Sequence, residues 1–388
     1  MFSLSYGSAN FGLVLTVVMF AVSCSLTFLS LNVLSLLALE YKALLPSKRI
    51  TFYSVSNVIL PRFSWVLDAS VIVYCGGAII SYLTNIGNLL AQGFYSIAQW
   101  DLTSFSLQYT SMVIRAILLV FLLPLCCLKQ LGSTKFAVYF GLSCIFYIVV
   151  VTLFYSPCTA AKADFVPLLN PAGVFRAFSS FPLMIFAYIC QQSVFHMVNE
   201  LREINKTKLN KIFVSALSVT TLVYSLMFLP FLTFGQAVKQ NFLQSLRKPD
   251  GSLEAPVTAA FIFAALSLSI SYVILLLPVR ISIMALVFRT NQPQGSRELQ
   301  LRVFIVLCIV ILTFVVSAAL GDNVALPIEL AGLFGGNTLG FVFPFSLYLK
   351  HYGLKNDRRV FSVVVLVSLV FCCLLYPISL VGIISSRT

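Results

Sequence analysis

Charge is what this chain has least of. Only 10% of its 388 residues are charged, against about 25% in a soluble domain. So few charges cannot cover a water-facing surface, which excludes an ordinary soluble fold. Histidines number two, too few for much metal chemistry, and no HExxH, GxSxG or P-loop pattern occurs. No metal site and no catalytic residue is expected, and the chain is read as a non-enzyme. None of its ten cysteines forms a CxxC pair. Nearly all lie within apolar runs, with Cys158 in an expected loop, so they read as small buried groups rather than a disulfide framework. Low-complexity segments and a soluble catalytic domain are missing too.

What the chain has is apolar length. Hydrophobic residues make up 60% of it, and a helix needs about 20 of them to cross a bilayer. Such runs fall near residues 11–39, 66–92, 112–128, 135–155, 175–198, 211–236, 257–288, 301–321, 324–349 and 361–385, ten in all. Main-chain polar groups in lipid must be satisfied within the segment, so the runs are expected to be helices. They are too long and too uniform for barrel strands.

The net charge of +13 sets topology rather than nucleic-acid binding. One set of alternate loops holds Lys42, Lys48, Arg49, Arg62, Lys129, Lys135, Arg202, Lys206, Lys208, Lys211, Arg289, Arg297, Arg302, Lys350, Lys355, Arg358 and Arg359. The other holds Lys162, Arg176, Lys239, Arg247, Lys248 and Arg387. The richer set is expected to be cytoplasmic, which places the C-terminus outside and the Asn205-Lys206-Thr207 sequon in the cytoplasm. Arg115 and Arg280 sit inside runs near their ends and are expected to snorkel. Asp68 is expected to be a solvated cap and Glu329 to lie near the outer mouth. "MFSLSYGSANFGLVLT" has neither a basic n-region nor a cleavage site. It reads as the tail of a membrane helix whose first half is missing, with either an internal start or a genuinely short, functionally crippled chain as the explanation.

Polar side chains within such runs usually face a bundle interior or a cavity. "PLMIFAYICQQSVFHMVNEL", residues 182–201, carries Gln191, Gln192, Ser193 and His196 in quick succession. They cannot share one face of a regular helix, although Gln192 and His196 align at i, i+4. Residue types alone allow two readings: structural bonding between helices, or a broken helix whose main chain binds a solute. Ser267 and Ser271 likewise share a face, as oxygen ligands for sodium or as partners of the preceding turn's carbonyls.

The order of phrases resembles the amino acid/auxin permease family, within the amino acid–polyamine–organocation superfamily. The likeness extends to its neutral amino-acid transporters and vacuolar exporters. "FPLMIFAYICQQSVFHMVNEL" is similar to the family's sixth-helix motif through Pro182, Phe186, Ala187, Tyr188, Cys190, Glu200 and Leu201. Gln191 stands where the family often has His, and His196 where Pro is usual. "YCGGAIISYLTNIGNLL" resembles the third helix through Gly77, Tyr82, Leu83 and Gly87, with Asn88 where Asp is common. "LTFG" at 232–235, "ISYVILLLPVRISI" with Pro278 and Arg280, and "LAGLFGGNTLGFVFPFSLYLK" with Pro344 resemble the seventh, eighth and tenth helices. In "SLSYGSANFGLVL", Leu4, Tyr6 and Gly12 match the segment C-terminal to the first helix's break, and Ser5 replaces Pro.

The resemblance implies an all-α polytopic bundle of two inverted five-helix repeats, with ten complete spans and a partial first one. Residues 1–10 would be the remnant of the first helix, 11–155 the first repeat, 175–349 the second and 361–385 an additional last helix, all within one transporter domain over 1–388. It implies secondary active transport of amino acids, neutral ones by preference, by alternating access. The coupling ion would be H+ or Na+, with no other cofactor. A non-transporting amino-acid receptor on the same fold is the alternative. Phe186, Ala187, Tyr188, Cys190, Gln191 and Gln192 would bind substrate, and Ser271, with Ser267, a cation. The expected partners are an amino acid and membrane lipid, without nucleic acid or an obligate protein partner. The expected location is the plasma membrane or a vacuolar or lysosomal membrane.

Overall fold

A computed structural model describes residues 3–44, 51–98, 104–127, 134–159, 174–201, 205–247, 253–287, 296–321, 323–354 and 359–385. Among these there is helix and turn but no strand. The helices run α1 (Leu4–Phe11), α2 (Leu13–Leu44), α3 (Phe52–Ile59), α4 (Ser64–Ala98), α5 (Ser104–Cys127), α6 (Thr134–Thr159), α7 (Val174–Tyr188) and α8 (Val194–Glu200). Next come α9 (Lys206–Leu226), α10 (Leu229–Phe234), α11 (Ala255–Val287), α12 (Ser296–Leu320), α13 (Ala325–Leu330), α14 (Phe343–Tyr352) and α15 (Arg359–Ser385).

Ten stretches of the described residues are long and apolar enough to cross a membrane, in the order of the ten apolar runs. The chain is an integral, multi-pass membrane protein. Several expected loop cations (Lys48, Arg49, Lys129, Arg202, Arg289, Lys355, Arg358, Lys162, Lys248 and Arg387) lie outside the described residues, as do the side chains of Lys135, Arg176, Arg297, His196 and Glu200. Cys158 falls in the last turn of α6 rather than in a loop, and its side chain is likewise outside them.

The described chain forms two compact units. The first comprises Met1–Asn10, Cys75–Leu168 and Ser225–Ile328. In it α6 lies along α11 and α5 along α12. The Tyr147 hydroxyl donates to the Pro256 carbonyl at 3.1 Å, and the Tyr147 ring meets Phe263 edge-on. Tyr272 and Thr313 share a 3.0 Å bond between α11 and α12.

Arg115 and Arg280 do not snorkel. They are 1% and 3% exposed, because interior acceptors hold them. Arg115 donates to the Ser317 carbonyl (2.8 Å), the Asn88 side-chain oxygen (2.8 Å) and the Gly321 carbonyl (3.3 Å). Two of these are carbonyls at the end of α12, where a helix lacks intrahelical donors and favours a cation. Gly87 makes the room, since a Cβ there would stand 2.5 Å from Arg115 Nε. Arg280 donates to the Cys126 carbonyl at 3.0 Å. Ser271 Oγ donates to the Ser267 carbonyl at 2.9 Å.

The second unit comprises Phe11–Tyr74, Leu169–Tyr224 and Glu329–Thr388. Here α7 packs against α2 and α15. The short α3 opens with a capping box between Thr51 and Ser54 and buries Phe52, which stacks on Phe195 at 5.3 Å. Asp68, expected to be solvated, is 8% exposed, and Glu329 is 4% exposed. Asp68 therefore sits in protein rather than acting as a solvated cap.

Candidate functional site

The fifth apolar run, which resembles the family's sixth helix, is not one helix. α7 ends at Tyr188, Ile189 and Cys190 are non-helical, a 3₁₀ turn covers Gln191–Ser193, and α8 begins at Val194. Cys190 has φ −138° and ψ 5°, well away from helical φ. The break falls where polar side chains interrupt the apolar pattern. Breaks in spanning helices persist only where protein or a cavity satisfies the freed main chain.

Neighbouring hydroxyls do much of that work. The Tyr74 hydroxyl of α4 faces the Phe186 and Ile189 carbonyls at 3.4 and 3.5 Å. The Tyr224 hydroxyl of α9 donates to the Ala187 carbonyl at 2.7 Å. The Ser193 N–H closes onto the Cys190 carbonyl at 3.0 Å.

Gln191 is the polar centre. It is 0% exposed, and its Oε1 accepts the Cys190 N–H at 2.9 Å. That bond fixes which end of the amide is oxygen. Its Nε2 is buried without a partner in the described structure. An unmet buried donor costs about 1–3 kcal/mol, so the amide group is poised for an acceptor.

The wall facing the break is built from glycine. Between α13 and α14 the chain takes two π-helical stretches, Ala331–Gly336 and Thr338–Val342, a wide turn often found at functional sites. A Cβ at Gly332 would lie 2.2 Å from the Pro182 carbonyl oxygen, and one at Gly335 would lie 2.4 Å from the Tyr74 nitrogen. Gly340 leaves space for the Ile189 side chain and lies beside the Gln191 amide. Its carbonyl accepts the Ser30 hydroxyl. Small residues let spanning helices approach this closely.

The sequence-expected residues divide by the part each exposes. Cys190 is exposed and Phe186, Ala187 and Gln192 are half-buried. The Tyr188 ring packs against Phe20 of α2 and Tyr224 of α9. Ser267 and Ser271 belong to the first unit. No group of three His, Cys, Asp or Glu side chains suited to a metal occurs among the described residues. Tyr74, Thr221 and Tyr224 were not read from sequence. Tyrosines in apolar runs were a signal, but not one that names a partner. A groove of about 450 Å³ between α2 and α9 is lined by residues including Cys24, Phe28, Leu217 and Thr221, and by none from the break.

A family model described as transmembrane amino acid transporter protein matches residues 1–385. Vacuolar amino acid transporter 5 of Schizosaccharomyces pombe is 26% identical over 312 residues, covering 79% of this chain and 71% of that protein. Amino acid transporter AVT6B of Arabidopsis thaliana is 26% identical over 328 residues, covering 76% and 68%. Among solved structures, MhsT in complex with L-phenylalanine superposes with a TM-score of 0.56 at 14% identity, covering 95% of this chain and 94% of that one. This last likeness is one of fold. It carries the all-α polytopic bundle with inverted repeats expected from the sequence.

Proposed function

The chain belongs to the transmembrane amino acid transporter family, and from that premise we propose that it moves neutral amino acids across a membrane by alternating access, coupled to H+ or Na+. One observation carries the reading: the fifth span breaks at Ile189–Cys190 and leaves the Gln191 Nε2 buried beside the break without an acceptor. A substrate carboxylate supplies that acceptor, and charge-assisted hydrogen bonds are the stronger kind. Cys190, Gln192 and Phe186 line the same turn with their side chains, and Ala187 and Tyr188 contribute main chain. The names of the fungal and plant relatives support amino acids as cargo, and the fungal one supports a vacuolar-type membrane.

Ser271, with Ser267, is the proposed cation position. Its hydroxyl already donates to the Ser267 carbonyl, which leaves the oxygen lone pairs to face an ion.

Uptake of labelled L-amino acids into proteoliposomes, with a pH gradient or a sodium gradient imposed separately, tests the reading. Gradient-driven accumulation of at least one neutral amino acid is the expected result. Absence of uptake under both gradients, in a protein that remains folded, overturns it. If sodium drives uptake, Ser271→Ala lowers the sodium-driven rate and leaves binding without sodium intact.

A further inference from the structure

A broken helix leaves the last carbonyls of its first half without intrahelical donors. In a spanning segment water is scarce, so the groups that meet those carbonyls decide where the main chain leaves the helix. Tyr74 of α4 meets the Phe186 and Ile189 carbonyls, and the Ala187 carbonyl between them is met by α9. Tyr224 Oη donates to the Ala187 carbonyl at 2.7 Å. Thr221, one turn earlier on α9, shares a 3.0 Å hydrogen bond with Tyr188 Oη. The two tyrosine rings meet edge to face at 5.4 Å, and Phe20 of α2 closes the group at 6.0 and 6.4 Å. Beyond the break the fastening changes. Phe195 of α8 stacks on Phe52 of α3. The half before the break is held through Tyr224 and Thr221 of α9 as well as Tyr74 of α4, the half after it stacks Phe195 on Phe52 of α3, and Cys190 and Gln191 sit between.

We propose that Tyr224, supported by Thr221, is a positioning residue of the amino-acid site. Its hydroxyl fixes the Ala187 carbonyl and so sets the course of the main chain that presents Cys190 and Gln191 to the substrate. The inference rests on the transport reading above. Tyr224 acts through the main chain and does not itself need to touch the amino acid. Its ring supplies packing, whereas its hydroxyl supplies geometry, so the two roles separate on removal of one oxygen.

The test measures equilibrium binding of the twenty proteinogenic L-amino acids, each singly, to the purified full chain, alongside thermal melting in the same detergent. Tyr224→Phe keeps the ring and is expected to weaken binding about threefold to tenfold, the effect of one hydrogen bond. Amide exchange over residues 188–192 is expected to quicken. Thr221→Val should weaken binding in the same direction, and Thr221→Ser should stay within about twofold of the wild type by keeping the hydroxyl. A lower melting temperature with unchanged affinity in Tyr224→Phe reduces the residue to packing and overturns the proposal. If that variant does not fold, unchanged affinity in Thr221→Val overturns it instead. If the wild type binds none of the twenty, the transport reading fails first and this inference falls with it.

Discussion

Gly332 meets Pro182 with no room for another carbon: a Cβ on the glycine would stand 2.2 Å from the proline's carbonyl oxygen. The obstructing atom is main chain and cannot rotate aside. The contact seats the π-helical stretch after α13 against α7, one helical segment ahead of the break. A Cβ at Gly336, in the same stretch, would find its nearest neighbour, the Ile189 side chain, at 3.4 Å. Gly332→Ala is therefore expected to destabilise by about 1–3 kcal/mol or to prevent folding, as overpacked interiors do. Gly336→Ala should cost clearly less. Melting temperatures of the two variants in one detergent check the ordering, and equal losses would contradict it.

Arg115 offers a second test, because the sequence alone suggested something else. A snorkelling arginine tolerates replacement, since its head is in water. A buried one that holds Asn88, Ser317 and Gly321 does not. Arg115→Met should destabilise by about 3 kcal/mol or more, as several buried acceptors lose their donor together. Arg115→Lys should recover only part, because a point charge cannot span three acceptors. The folded fraction after detergent extraction, followed by melting, reads both.

Outside the spanning segments, Lys239 bears on pH dependence. Burial, with the Arg247 guanidinium nearby, lowers its pKa below the usual lysine value. A depressed folded pKa means that the charged form is disfavoured in the native state. Stability from this group is present above the unfolded pKa, near 10.4, and is lost as pH falls through the lower folded value. Lys239→Gln should remove that alkaline dependence. At neutral pH it should stabilise by no more than about 0.5 kcal/mol, because the side chain is only partly buried and its charge is screened by solvent. Melting curves from pH 7 to 11 for both proteins provide the comparison.

These cases show which parts of the molecule were legible in the sequence. Span number and order follow from apolar length, because a bilayer imposes one length on every helix. The break was expected from the resemblance of residues 182–201 to the family's sixth helix, since Gln191, Gln192 and Ser193 in an apolar run fit structural bonding between helices equally well. Partners were not. Nothing local says that Tyr224 reaches Ala187, or that Gly332 meets Pro182, because such pairings depend on which helices become neighbours. Arg115 was misread for the same reason. Its distance from the run's end was visible, but the carbonyls of α12 that receive it lie some 200 residues away in sequence. Asp68 repeats the lesson, since burial is a property of the packed bundle.

The account depends most on the Gln191 amide receiving the carboxylate of an amino acid. Gln191→Glu keeps an oxygen for the Cys190 N–H and puts a second oxygen where the unmet donor now stands. Equilibrium binding of the twenty L-amino acids to wild type and Gln191→Glu, both shown folded by melting, is the direct measurement. The predicted result is binding by the wild type and a loss of about tenfold or more in the variant, the value of one charge-assisted hydrogen bond. Equal affinities in two folded proteins would contradict it.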